Sequence, residues 1–459
     1  MSSVLNVFAL ESAIPYPKSA RHLYPSRQLC YNPHRSRIPP RVHAALNNVP
    51  TLVPAFDHQD EMFSSAFSVL QDAISARAFP AASLAVTQAG CLVALKSFGH
   101  FTYEADSPQV STSAPFDLAS LTKVIATTTT ASILYQRGLL ELEAPVIGVV
   151  PEFMADSCGE PDPRRRDVTF HMLLAHSSGL PAYEKLFLKT RSRDALLQAA
   201  FTTSLSADPG TRGEYSDIGF FVLGAALERI AGEPLDIFCQ REIFGPLAMT
   251  HTSFNPPPKT RAQIPPTADE REEPERGVGT PFGKIRAGSA REMPPAPVPP
   301  SISPGPARST FRNRIIQGEV QDENAFVLGG VAPHAGLFST AEDVARFAHA
   351  LIQCGAGSPG RVRILRPETL ALFTHRESTP AGTSRALGWD TPSGSSQSGR
   401  YFGPRSFGHL GYTGTSLWID PDRQISITLL TNRTWPDCAN HAIKQVRPKF
   451  HDAIIEAIG

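Results

Sequence analysis

No stretch of this 459-residue chain approaches the roughly 18 consecutive apolar residues that a membrane-spanning helix needs, so no integral membrane segment is expected. Net charge is missing too. Its 43 basic and 43 acidic residues cancel, leaving no global field to draw nucleic acid or an anionic membrane. The Arg164-Arg165-Arg166 run is closed by Asp167 and reads as a solvated turn. Cysteine is sparse: Cys30, Cys91, Cys158, Cys239, Cys354 and Cys438 show no paired spacing, which excludes a disulfide framework and a cysteine zinc site. His171 and His176, five residues apart, do not share a helix face as a zinc pair does. No metal and no cofactor is expected. Met1–Leu10 lacks a basic stretch followed by a sustained apolar one, so no secretory signal is read and a cytoplasmic location is favoured over a periplasmic one.

What is present is a 41% hydrophobic composition, enough for a large core, and a distinct order of segments. Residues 1–56, rich in Pro, Arg, His and Ser from residue 11 to about 50, read as a disordered leader. Residues 57–459 then read as one domain. Asp57–Ala78 carries Phe63, Phe67, Leu70 and Ile74 at helical spacing. Two β-rich runs, Ala82–Val86 and Leu92–Leu95, flank Gln88-Ala89-Gly90 as a hairpin. A helix opening at Ser120 stops at Arg137-Gly138, and residues 140–254 form a mainly helical lobe. Residues 255–309, dense in proline and charge, read as a flexible insertion. Thr340 caps a helix to Cys354. Ser406–Ile419 and Ile425–Thr431 read as two strands, and Ala439–Ile458 as a closing helix. Strands at both ends of the chain predict an α+β fold, with one antiparallel sheet flanked by helices.

Three short motifs carry chemistry. Ser120-Leu121-Thr122-Lys123 places a lysine one turn above a serine at a helix start, within an apolar stretch that a surface lysine would avoid. Desolvation lowers an amine's pKa and fits it to take the serine proton, while the helix start favours developing negative charge. Tyr215-Ser216-Asp217 precedes a helix; alone, Tyr215 is an ordinary core tyrosine and Asp217 a plain N-cap. His409-Leu410-Gly411 lies in a glycine-rich strand that lets a substrate backbone approach and offers an N–H to an oxyanion. There is no Gly-x-Ser-x-Gly elbow, which excludes an α/β-hydrolase.

The order Ser-x-x-Lys, Tyr-Ser-Asp about a hundred residues later, then His-x-Gly on a late strand resembles the serine β-lactamase-related family of class C β-lactamases, DD-peptidases, D-aminopeptidases and β-lactamase-fold esterases. Leu173–Leu180, Ile243–Met249 and His334–Thr340 look like the family as well. The resemblance implies a β-lactamase/transpeptidase-like fold and a serine hydrolase forming an acyl-enzyme on Ser120. Lys123 and Tyr215 would move protons, and the amides of Ser120 and Tyr412 would form the oxyanion hole. His409 and Gly411 stand at the family's third motif, and Asp217 where the family has asparagine. Histidine for lysine and aspartate for asparagine weaken β-lactam recognition, so an ester or D-peptide is expected ahead of a lactam. Asp217 is a candidate ligand for a substrate amine. The expected partner is a small molecule or short peptide. The competing reading is a non-catalytic binding protein for peptidoglycan-type or D-amino-acid peptides on the same scaffold.

Overall fold

The computed structural model describes residues 51–271, 309–355 and 364–459. Its centre is a six-stranded sheet ordered Val53–Pro54, Cys91–Gly99, Ala81–Gln88, Ile425–Thr431, Ser416–Asp420, Phe407–Leu410. All neighbours pair antiparallel except the two-residue edge strand Val53–Pro54, which runs parallel to Cys91–Gly99. N- and C-terminal pieces therefore meet at the centre, with Leu84 opposite Leu429.

Both faces of Ala81–Gln88 are covered, and its side chains alternate between two cores. Ala82, Leu84 and Val86 pack with Phe63, with Phe67 and Leu70 of the helix Ser64–Ser75 that follows it, and with Phe450 and Ile454 of helix Ile443–Ile458. Ala81 and Ala85 face the opposite core, which holds Val344, Ala348 and Leu351 of helix Ala341–Gly355 and the apolar side of the helical lobe. Burial of the large aliphatic and aromatic side chains on these faces contributes on the order of 2 kcal/mol each. In the lobe, helix Asp217–Ala231 is buried along most of its length and ends on Gly232 in the left-handed conformation.

Several expected elements differ. The first helix is split into Gln59–Met62 and Ser64–Ser75. Ser406–Ile419 is two antiparallel strands, Phe407–Leu410 and Ser416–Asp420, because a tight turn at 411–415 reverses the chain. The last helix begins at Ile443. The proposed leader reaches too far: Val53 and Ala55 donate to the carbonyls of Gly90 and Leu92, and Leu52 is buried, so the sheet already includes them. Residues 1–50 lie outside the described residues.

The insertion read as flexible across 255–309 is built into the fold at its start. Ala268–Asp269 pairs with Ile315–Ile316, Ile264 is buried, and Asn432 donates to the Pro266 carbonyl at 2.9 Å. Glu270 and Arg312 form a buried ion pair with N···O at 2.7 Å, and the Arg312 guanidinium also reaches the carbonyls of Val320 and Gln321. Residues 272–308 lie outside the described residues. Removing one member of a buried pair strands the other charge. Arg312→Ala is expected to cost about 3–5 kcal/mol of unfolding free energy, read by urea titration; a change below about 1 kcal/mol would mean that the insertion root is not part of the cooperative core.

Candidate active site

Ser120 sits where the chain leaves a short strand and enters a helix. Phe116–Asp117 pairs with Leu337–Ser339, and the Asp117 carboxylate then accepts from the amides of Ala119 (2.9 Å) and Gln321 (2.7 Å). Ala119 is held at φ +46°, a left-handed conformation that costs a non-glycine residue about 1–3 kcal/mol and persists because its surroundings enforce it. The helix beyond is wound wider, as a π-helix, over Lys123–Thr128, a feature frequent at functional sites. Thr122 Oγ1 accepts from the Leu337 amide at 3.1 Å and ties this helix to the neighbouring strand.

Lys123 is fully buried, so its charge needs partners. Its Nζ donates to Ser120 Oγ at 3.1 Å and to the His334 carbonyl at 3.2 Å, and lies 2.6 Å from Asp217 Oδ1. The last contact is an ion pair. Burial alone pulls the amine's pKa down, but the attraction of Asp217, helped by Tyr215, outweighs it and leaves the pKa above its ordinary value. The sequence pattern leads to the opposite expectation, a depressed amine. Asp217 is also not the helix cap: Ser216 Oγ accepts from the Gly219 amide at 2.9 Å, which frees the Asp217 carboxylate for Lys123.

Tyr215 stands between these groups, hydrogen-bonded to Lys123 and Ser120. Burial raises its phenol pKa and outweighs the opposing pull of Lys123, so the phenol keeps its proton. His176 supports the ring from behind, with centroids 4.6 Å apart, and its Nδ1 accepts from the Ser216 amide at 3.0 Å. His176 is itself at φ +55°. It is the clamp that holds Tyr215-Ser216-Asp217 in place, a role its sequence did not disclose.

The third motif lies across the turn between Phe407–Leu410 and Ser416–Asp420, so His409 is on a strand while Gly411 and Tyr412 lie beyond it. Thr413 Oγ1 donates to the Asp117 carbonyl (2.7 Å) and Thr415 Oγ1 to that of Leu118 (2.9 Å), stitching the turn to the segment that precedes Ser120. A Cβ on Gly411 would lie 2.5 Å from the Leu118 carbonyl oxygen, so only glycine fits that close approach. Among the described residues, neither the Ser120 nor the Tyr412 amide donates to a carbonyl. His409 is buried and its pKa is driven well below the ordinary value, first by desolvation and then by Lys123 and Arg385. Its Nδ1 donates to the Leu410 carbonyl at 2.8 Å, which leaves Nε2 as a buried acceptor without a partner.

Ser120, Tyr215, His409, Gly411 and Tyr412 line one cavity of about 320 Å³. Four cations that the motifs did not point to line it as well: Arg385, Arg433, Lys444 and Arg447, against a single carboxylate, Asp390. Arg447 is buried; it donates to the carbonyls of Gly411 (2.6 Å) and Thr415 (2.8 Å), and its guanidinium pKa is pushed down to about 9 by burial and by Arg433. Arg433 donates to the Tyr412 carbonyl at 2.6 Å. One signal was available: Arg447 occupies a position in the apolar stripe Ile443, Val446, Phe450, Ile454 of the last helix. Arg385 had none.

Residues 64–447 match the Beta-lactamase family. The chain belongs to that family. It is 31% identical to an N-acetylmuramyl-L-alanine amidase of Bacillus subtilis (strain 168) over 376 residues, covering 78% of each protein. It is 30% identical to a putative D-alanyl-D-alanine carboxypeptidase of Salmonella agona (strain SL483), covering 79% of this chain and 81% of that one. Among solved structures, EstCE1, a hydrolase with promiscuous acyltransferase activity, superposes with a TM-score of 0.62 at 22% identity, covering 86% of this chain and 99% of its own. A class C β-lactamase gives 0.60 at 15%, covering 87% and 97%. The structural likenesses establish the β-lactamase/transpeptidase-like fold expected from the motifs, and the sequence relatives place the chain among hydrolases of that family.

The neutral His409 has a consequence for stability. Folded His409 stays uncharged in mild acid while the unfolded residue gains a proton below about pH 6.5, so acidification favours unfolding. His409→Gln removes that term. Relative to the variant, the wild type is expected to lose about 1.6 kcal/mol between pH 6.5 and 5 in urea titrations, the slope approaching about 1.4 kcal/mol per pH unit at the acid end. Parallel stability curves would show that His409 is charged in the folded protein.

Proposed function

We propose that this protein is a serine hydrolase that works through an acyl-enzyme on Ser120 and cleaves an amide or ester bond next to a free carboxylate, in the manner of a D-peptidase. The observation that carries the reading is the contact between Ser120 Oγ and the buried Lys123 ammonium, 3.1 Å long, at the wall of a cavity a short peptide end fits. Ser120 attacks the carbonyl, and the amides of Ser120 and Tyr412 receive the oxyanion. Tyr215, which keeps its proton and touches both Ser120 and Lys123, donates to the leaving group.

The four cations on the cavity wall support a carboxylate-bearing substrate. Arg433 and Arg447 spend donors on backbone carbonyls, whereas the exposed Lys444 forms no ion pair among the described residues. The relatives named as a carboxypeptidase and an amidase point the same way, towards peptide bonds rather than a lactam ring. Asp217 is taken up by Lys123, which argues against its use as the ligand of a substrate amine.

A peptide ending in D-Ala-D-Ala is expected to be cleaved at least tenfold faster, in kcat/KM, than the same peptide with its terminal carboxylate amidated, one charge-assisted contact being worth roughly 1.5–3 kcal/mol. Ser120→Ala is expected to lower kcat on the order of 10³-fold or more. Wild-type-like turnover in Ser120→Ala would overturn the acyl-enzyme, and preference for the amidated peptide would overturn the carboxylate reading.

A further inference from the structure

An ammonium ion cannot accept the proton that Ser120 must lose. Lys123 is held in that form by Asp217, and the neighbouring groups do not replace it as a base. Tyr215 is a phenol, not a phenolate. His409 directs Nδ1 to the Leu410 carbonyl, and among the described residues no hydrogen bond joins its Nε2 to Ser120; His176 turns Nδ1 to the Ser216 amide. Asp322, the cap of helix Glu323–Val327, acts on Lys123 from a distance but is engaged by His334 Nε2 at 2.9 Å. Arg385 lies over the Tyr215 ring, 5.1 Å from its centre. Among the described residues, Asp217 is the carboxylate in contact with Lys123, whose Nζ also donates to Ser120 Oγ.

We propose that Asp217 is a positioning residue that accepts a proton through Lys123, completing a Ser120–Lys123–Asp217 relay for acylation. The Ser120 oxygen forms its bond to the substrate carbonyl carbon, and the carbonyl π pair moves onto oxygen. The hydroxyl proton passes to Lys123 Nζ while a second Nζ proton passes to the Asp217 carboxylate. Lys123 keeps its three protons, Asp217 becomes a neutral carboxyl, and the net charge is unchanged. When the intermediate collapses, the bond to the leaving group breaks and that group takes the Tyr215 proton. Lys123 refills Tyr215, and Asp217 returns its proton to Lys123. The contacts needed are the 3.1 Å and 2.6 Å ones already present. The arrangement parallels a serine–histidine–aspartate triad in that the third group acts only through the second, with the difference that here it takes the proton.

The inference rests on the acyl-enzyme reading, and the test separates the two. The second-order rate of covalent labelling by a fluorophosphonate reports activation of Ser120 without a known substrate. It is measured from pH 5 to 9 on wild type, Asp217→Asn, Asp217→Glu and Ser120→Ala, with thermal melts confirming folded protein. Asp217→Asn is isosteric and is expected to slow labelling about 10²-fold at pH 7, the typical contribution of a positioned acid or base. Its rate is expected to climb with pH as the amine, released from the carboxylate, loses its proton. Asp217→Glu is expected to stay within about tenfold of wild type. Should Asp217→Asn fail to fold, Asp217→Ser serves as the neutral variant with the same expectation. Labelling of Asp217→Asn at or above the wild-type rate at pH 7 would overturn the relay while leaving the acyl-enzyme standing. Absence of any Ser120 adduct on wild type would overturn both.

Discussion

A lysine side chain shut away from water organises this molecule. Placing an ammonium ion in a protein interior costs several kcal/mol unless opposing charge and hydrogen bonds surround it. The fold supplies them to Lys123 from one neighbour and two distant parts of the chain: Ser120 one turn before it, Asp217 from the lobe, and the His334 carbonyl from the segment before Leu337–Ser339. Each is tethered in turn. Thr127 Oγ1 donates to the Pro333 carbonyl at 2.6 Å, and Gly224 lies so close to Pro333 that a Cβ there would come within 2.3 Å of its ring. The Ser120 helix, the lobe helix and the 333–334 segment therefore meet at one point, and the ion pair is the electrostatic reason for their meeting there.

The same charge shapes its neighbours. His176 and His409 are buried within its field and within that of Arg385, and both are kept neutral by burial first and by those cations second. Neutral imidazoles pack against Tyr215 without competing for Asp217. The site thus separates its duties by environment: fixed positive charge on the cavity wall, one ion pair at the serine, and uncharged rings that set the position of the phenol.

The sequence discloses what is local. Ser120 and Lys123 are legible together because helical spacing is fixed, whereas Tyr215 alone reads as an ordinary core tyrosine and is singled out only by the family resemblance. The Lys123–Asp217 pair is not, since the two residues are far apart in sequence and no pattern links them. Ser216, rather than Asp217, caps the helix; both residue types cap well, and propensity alone cannot choose between them. The turn at 411–415 has a strand-like sequence because Gly411 and Gly414 look like packing glycines; Thr413 and Thr415 make it a turn by anchoring it to Asp117 and Leu118. Arg385, Arg433 and Arg447 arrive from three different elements, and convergence of that kind is a property of the fold alone.

The root of the proline-rich insertion shows why composition misleads there. Proline lacks an N–H, so a proline run is buried at little cost wherever its carbonyls find donors. Asn432 provides one: its amide nitrogen donates to the carbonyls of Pro266 and Phe101, while its amide oxygen accepts from the Ala81 amide in the central sheet. The next residue, Arg433, lines the cavity and holds the Tyr412 carbonyl. A single asparagine therefore joins the insertion root, the central strand and the arginine that braces the Tyr412 loop. Proline content marked this segment as unable to form a core of its own; it did not forbid the segment from joining one already formed.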